Sequence, residues 1–480
     1  MKPLTGALVL AAFCPAILAA QDFDRSQAPA VPPPSGLALP AVQQARLPNG
    51  ITLRVVPMRE VPLVQVNLLL KGGGRLDGTM PGLATFTAGM LDEGAGSRTA
   101  FEISAEAAFL GADLSTGADW NYLYVTLNAP RRTIGPALDL VADLVLHPSF
   151  KAADIARERD LRLARILQQR DQPSSLASLA FMSIVFPDPH PYHRPLGGDS
   201  SATAQLDSAV VRDFWQRVAR PDQAEFIITG DISLAEAQAE IARRFGDWKP
   251  AQKATPEPPA APAVSRPAGR AIFLVDKPGA AQSVIIIGGP GVSRTDPDYA
   301  AIEVMNTILG GSFSSRLNQN LRETRGYTYG ARSGFSYDPV PGPFRATAAV
   351  RTNVTDSSLV EFFVELNAIR DQPVSEVELT RAKNYIAFGL PGAFETTREM
   401  AGQIAEVTTY GLPLTWYDSY VKQVLAVTAA DVQRVAWTTI DPNHVYIVVV
   451  GDAEKIRPGL EALGLGPVIL RTPDGLPVAP

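Results

Sequence analysis

Residues 310–330 read GGSFSSRLNQNLRETRGYTYG, and the second half of the chain is organised around this stretch. Ser312 or Ser314 can cap a helix by accepting an orphan backbone N–H. Phe313, Leu317 and Leu321 recur at i, i+4 and i+8, which predicts one apolar helix face. Gly326 can end that helix in the left-handed conformation that other residues resist. The YTYGARSGFSY that follows has the aromatic and small-residue texture of a strand. Arg322 is thus expected near a helix end and Tyr329 on the strand it feeds. A guanidinium and a phenol brought together can both donate to one oxygen, as in the stabilisation of an oxyanion on a scissile carbonyl. Spacing alone also allows the plainer reading of a helix-surface arginine and a core tyrosine.

Working outward, the chain repeats itself. In the first half, ITLRVVP and PLVQVNLLLKGGG read as strands from Ile51 onward, followed by helical patterns from about residue 82 and over 101–110. WNYLYVTL (120–127) reads as a strand, 134–146 and 152–170 as helices, and AEFIITGD (224–231) as a closing strand before a helix from Ser233. Residues 250–267 carry six prolines and read as a semi-extended linker. Beyond it SVIIIGGPG echoes VNLLLKGGG, LTRAKNYIAFGL echoes IARERDLRLARIL, and HVYIVVVGD echoes EFIITGD. Gly72 to Gly288, Ile155 to Leu379 and Gly230 to Gly451 are offset by 216, 224 and 221 residues. Offsets so nearly constant predict two copies of one fold, not a solenoid of ~20–50-residue repeats. The expected class is α+β: two homologous α/β lobes, each a mixed, mainly antiparallel sheet with helices packed on it, forming a clamshell. The lobes are expected over 45–249 and 270–480, with 250–269 between them.

Composition narrows the options. Of 480 residues, 46% are hydrophobic and 19% charged, a globular balance that excludes wholesale disorder. A net charge of −6 gives no electrostatic reason to expect nucleic acid or an anionic membrane as partner. No later apolar run approaches the ~20 residues of a membrane span. Residues 1–20 have a positive start, an apolar stretch at 7–13 and Leu18-Ala19-Ala20 before Gln21. This is the layout of a secretory signal peptide, and it predicts a periplasmic or secreted protein. Cys14, the sole cysteine, lies inside it, so no disulfide or thiolate metal site is expected in the mature chain. Residues 21–44, rich in Pro and Ala, read as an extended leader.

Taken together, ILGGSFSSRLNQNLRETRGYTYG, the HPYHRPLGG of 190–198 and the TGD of 229–231 make the mature chain resemble the M16 (pitrilysin/insulinase-like) zinc metallopeptidases of the two-domain, processing-peptidase type. The resemblance implies that Arg322 and Tyr329, seven residues apart, are the family's substrate-supporting pair. It also implies an HxxEH helix whose histidines ligate zinc and whose glutamate is the general base, completed by a later glutamate. This sequence aligns there as GLATFTAGMLDEG (82–94). Thr85 and Gly89 stand in the histidine positions, Ala88 in the base position and Arg165 in the last ligand position. A guanidinium cannot ligate zinc and repels it.

No replacement site emerges. The four histidines are His147, His190, His193 and His444. His190 and His193 lie in PDPHPYHRP, which its prolines keep out of a helix, so an ordered loop is expected there. Asp92 and Glu93 are expected simply to face water. The implied role is a zinc-less, non-catalytic subunit of a heterodimeric M16-type metallopeptidase. It would bind no metal itself, would be inactive alone, and would bind peptide as an added strand on a sheet edge. Zinc is expected in an HxxEH-bearing homologue that serves as partner. The alternative is a non-proteolytic scaffold or peptide-binding protein. An enzyme of unrelated mechanism on the same fold is a third reading, for which the sequence offers no nucleophile or metal cluster.

Overall fold

The computed structural model describes Pro34, Leu37 and residues 39–250 and 257–478. The expected signal peptide, most of the leader and part of the linker fall outside the described residues.

The first half opens with β1 (Gln43–Arg46), β2 (Thr52–Pro57) and β3 (Leu63–Lys71). The leader therefore ends earlier than its composition suggests, because Gln43 and Gln44 pair with β2. β3 reads LVQVNLLLK, the near-continuous apolar run of a strand covered on both faces. α1 (Leu83–Gly89) follows, then the short strands β4 (Gly94–Ala95) and β5 (Arg98–Thr99). α2 (Ala100–Leu110) begins on a Thr99–Glu102 capping box, which satisfies backbone donors at its first turn. β6 (Asp113–Ala118) and β7 (Tyr122–Pro130) form a hairpin. α3 (Ile134–Leu146), α4 (Ala152–Gln169), α5 (Pro173–Val185), α6 (Ser200–Ala204), α7 (Ser208–Val218), β8 (Ala224–Gly230) and α8 (Leu234–Phe245) complete this half.

The second half runs β9 (Ala271–Asp276), β10 (Gln282–Pro290), α9 (Tyr299–Asn306), α10 (Arg316–Asn318), β11 (Thr328–Phe335) and β12 (Pro343–Arg351). Five helices follow: α11 (Thr355–Asp371), α12 (Glu376–Gly389), α13 (Thr397–Thr409), α14 (Trp416–Ala426) and α15 (Ala429–Thr439). β13 (Tyr446–Gly451), α16 (Ala453–Ala462) and β14 (Val468–Arg471) close the chain's described part.

The duplication is visible in the strand order. The first sheet runs β1-β2-β8-β3-β7-β6 and the second, read from its other edge, β14-β9-β13-β10-β12-β11. The inner pairings match in direction: β2 with β8 and β9 with β13 are parallel, and the next three pairs in each sheet are antiparallel. Only the added edge strand differs, β1 being antiparallel to β2 and β14 parallel to β9. Ile155 on α4 and Leu379 on α12, matched in sequence, are both buried.

Each sheet carries helices of its own half on one face. The other face is covered by a helix from the opposite half. α5 lays Leu176, Ala180 and Phe181 against Phe273, Val284 and Val448 of the second sheet. α13 lays Met400, Ile404 and Val407 in the cluster that takes in Val56, Leu69 and Ile227 of the first. Thr229 Oγ1 donates to the Thr397 carbonyl at 2.6 Å along this contact. The alternation along each strand makes the exchange possible, since neighbours such as Ile227 and Ile228 join different clusters. Residues 36–480 accordingly form one compact unit.

Candidate functional site

α1 carries Thr85, Ala88 and Gly89, the positions at which the family resemblance implies metal ligands. Its entry is fixed by Asp77, which is buried and accepts from the backbone N–H groups of Gly82 (2.7 Å) and Ala84 (2.8 Å). Burial pushes the Asp77 carboxyl up to about 7, against the pull of those two hydrogen bonds. Gly82 has φ 87° and packs against the Gly198 backbone, leaving no room for a side chain. Thr85 is half-buried, and its hydroxyl lies 3.0 Å from the Gly82 carbonyl and 3.2 Å from that of Leu196. Ala88 is fully buried. Gly89 is exposed at the helix end.

Arg162 on α4 fills the space beside these residues. Its guanidinium donates to the Gly82 carbonyl (2.8 Å) and to Thr85 Oγ1 (3.2 Å), and lies 5.0 Å from the centre of the Phe86 ring. Burial and then the neighbouring Arg165 lower its pKa to about 10. Arg165, one turn further along α4, is exposed. A hydroxyl, a methyl, a bare backbone and a guanidinium do not fit zinc, which takes His, Cys or carboxylate donors. Among the described residues no group of three or more His, Cys, Asp or Glu is placed to hold an ion. Arg162 and Asp77 are not among the residues expected from the sequence. No spacing or periodicity in the sequence marks either of them for this place.

The histidine loop is ordered, as its prolines suggest. His190 is buried, accepts at Nδ1 from the Tyr192 N–H (3.1 Å) and packs on Phe186, and burial lowers its pKa. His193 Nδ1 donates to the Phe186 carbonyl at 3.0 Å. Tyr192 reaches across to the Val340 carbonyl (2.8 Å), so the loop ties the halves together. Asp92 and Glu93 do not simply face water. Glu93 pairs with Arg157, and burial raises the Asp92 pKa.

In the second half the 310–330 stretch departs from a plain helix. Two π-helical segments, Thr307–Gly311 and Gln319–Thr324, flank α10. Neither Ser312 nor Ser314 caps it. Ser315 occupies the N-cap position with no side-chain cap bond, while the Ser312 hydroxyl donates to the Thr307 carbonyl. Leu317 and Leu321 are buried as expected, but Phe313 precedes the helix and is 62% exposed. The physical reason is tethering of the loop. Gly310 lies so close to Ser333 that a Cβ would come within 2.3 Å of its nitrogen. Asn318 donates to the Phe313 carbonyl (2.7 Å) and accepts from the Ala331 N–H (3.3 Å). Gly326 has φ 62° and ends the segment as the sequence implied.

Arg322 sits on the second π-segment, and π-turns recur at functional sites. Its guanidinium lies 4.7 Å from the centre of the Phe313 ring and 3.1 Å from Glu323. Tyr329 falls in a bulge of β11, between residues paired with Val350 and Ala348, and is 89% exposed. The plainer reading of a core tyrosine is therefore wrong. Both residues occur within one loop-and-strand unit at the sheet edge, and no hydrogen bond joins their side chains among the described residues.

A duplicated α+β fold in which each sheet is covered on one face by a helix of the other half defines a two-lobed protein of metallopeptidase architecture. The chain belongs to the M16 peptidase family. Residues 57–198 match the family model for insulinase (peptidase family M16), and residues 205–386 that for the peptidase M16 inactive domain. A peptidase M16 inactive domain from Pseudomonas fluorescens is 28% identical, with TM-score 0.79, over 85% of this chain and 98% of that one. A protease from Helicobacter pylori shares the fold at TM-score 0.81 and 18% identity, over 86% and 100% of the two chains. An uncharacterized zinc protease of Streptomyces coelicolor is 25% identical over 82% of this chain and 86% of its own. One from Mycobacterium leprae is 25% identical over 73% and 78%.

Proposed function

We propose that this chain is the zinc-less subunit of an exported, heterodimeric M16-type peptidase. In this reading it presents Arg322 and Tyr329 to a peptide whose scissile bond is cut at the zinc of an HxxEH-bearing homologue. The observation that carries it is the contrast between the two halves. Position 85 is hydrogen-bonded to a cation, whereas Tyr329 stands exposed on an unpaired sheet edge. Two donors aimed at a carbonyl oxygen stabilise the charge that water attack creates there, and one such donor contributes ~10²–10³ in rate. The edges β6 and β11 each offer unpaired backbone groups on which an extended peptide can add as a strand. The test is reconstitution. The purified chain should be inactive, mixing with an HxxEH homologue should give cleavage, and R322A or Y329F should weaken it. Full activity with both substitutions present would overturn the assigned role.

One observation favours the alternative of a peptide-binding scaffold. Arg322 is engaged by Phe313 and Glu323 and makes no hydrogen bond to Tyr329. Stable assembly and peptide binding without any gain in cleavage beside an HxxEH partner would select that reading.

A further inference from the structure

A cavity of about 760 Å³ opens between α4, α5, the 193–201 turn and the C-terminal segment. That is within the ~300–1,000 Å³ of small-molecule sites. Four arginines line it, and two of them are neutralised. Arg170 pairs with Asp474 at 2.9 Å and Arg194 with Asp199 at 3.5 Å. The other two are not. Arg162 donates only to the neutral oxygens of Gly82 and Thr85, while Asp77 and Glu158 favour its charge from further off. Arg165 has no hydrogen-bond or ion-pair partner among the described residues. Beside these cations part of the wall is apolar, made by Ile166, Leu179, Pro195 and Leu476, and part polar, with Gln169, Ser183 and His193.

We infer that this cavity binds a carboxylate carried on an apolar body. A guanidinium matches a carboxylate through paired N–H donors, and a body of several carbons covers the apolar wall. Inorganic phosphate would meet the cations but leave that wall wet. The carboxylate has two possible sources, the C-terminal end of a peptide with apolar last residues or a free alkanoic acid. The inference concerns the isolated chain and needs no partner subunit, so it is independent of the peptidase reading.

The test is calorimetric titration of the full chain with N-acetyl-leucyl-leucine, its C-terminal amide, octanoate and inorganic phosphate. Either carboxylate should bind, with the amide and phosphate at least about tenfold weaker, the effect of roughly one charge-assisted hydrogen bond. R165Q should weaken carboxylate binding about tenfold by the same reckoning. Arg165 is exposed, so its melting temperature should stay that of the parent, which separates lost binding from lost folding. D474N should tighten binding by releasing Arg170. A tighter peptide acid identifies a chain end as the ligand, and tighter octanoate a free acid. Equal binding of acid and amide, unchanged affinity in R165Q, phosphate binding above both carboxylates, or no binding at millimolar concentration would each overturn the inference. A chain that binds carboxylates yet never supports cleavage keeps this inference and loses the peptidase reading, and the converse result does the opposite.

Discussion

The guanidinium of Arg162 is hydrogen-bonded to Thr85 Oγ1 at 3.2 Å and to the Gly82 carbonyl at 2.8 Å. A cation is thus fixed against the residue that stands in the first ligand position of α1. If α1 is the helix that carries zinc ligands in relatives, this cation is a second obstacle to a metal beside Thr85, Ala88 and Gly89. A chain carrying T85H, A88E, G89H and R165E should still bind zinc poorly. Adding R162L should raise its affinity by on the order of tenfold or more, since unit charges some ångströms apart still interact by a few kcal/mol near a protein surface. Zinc competition titrations would compare the two chains, and equal affinities would show that Arg162 does not guard the position.

Asp77 makes stability depend on pH. Its folded pKa of about 7 lies above the ordinary 3.8, so the folded state holds a proton that the unfolded state releases. Stability should fall as pH rises from 4 to 7 and level off above, by on the order of 1 kcal/mol per unit inside that window. Asp338, pushed up to about 6 by burial, acts in the same direction over the lower part of it. Denaturant midpoints for D77N, whose amide oxygen can still accept from Gly82, should show a flatter pH profile than those of the parent.

Tyr329 is exposed enough that its loss should leave the fold untouched. Y329F should keep the parent melting temperature within about a degree, as surface changes usually cost under ~0.5 kcal/mol. In a reconstituted mixture its kcat should fall about 10²-fold with a smaller change in KM, the mark of an interaction made in the transition state.

The Arg294 guanidinium lies 3.7 Å from the centre of the Tyr299 ring and 4.1 Å from that of Trp416, two rings set edge to face, and pairs with Glu406 at 3.0 Å. R294A should destabilise the protein by about 2 kcal/mol or more, from a desolvated cation–π contact and the ion pair together. R294K should recover only part of this, because a lysine ammonium lacks the planar face and the several N–H donors of the guanidinium. Thermal denaturation of the two variants decides the matter.

Phe181 of α5 is fully buried on the second sheet. F181A should cost about 3–5 kcal/mol. It should lower a single calorimetric transition for the whole molecule, and two separable transitions would contradict the exchange of helices.

Much of this architecture was legible from pattern. The apolar runs of β3, β10 and β13 and the matched glycines revealed the duplication because burial on both faces demands such runs. The placement of Thr85, Ala88 and Gly89 on one helix and of Arg165 on another was legible too. The place of Arg162 was not, because whether an arginine turns to solvent or onto a neighbouring helix depends on packing that periodicity does not encode. The same holds for the π-segments around Arg322, which arise from the close approach of Gly310 to Ser333 and the bonds of Asn318. Local propensity has no term for either. The crossing of α5 and α13 was hidden too, since an amphipathic helix announces that it needs a sheet but not which one.

That crossing limits how the molecule can move. Swinging the halves apart about the proline-rich segment would strip Phe181 and Ile404 from their seats at once. Wholesale gaping is therefore too costly to serve as a working stroke. Whatever reaches the Tyr329 edge must arrive from outside, on a face already open, or be delivered by a second molecule docking there.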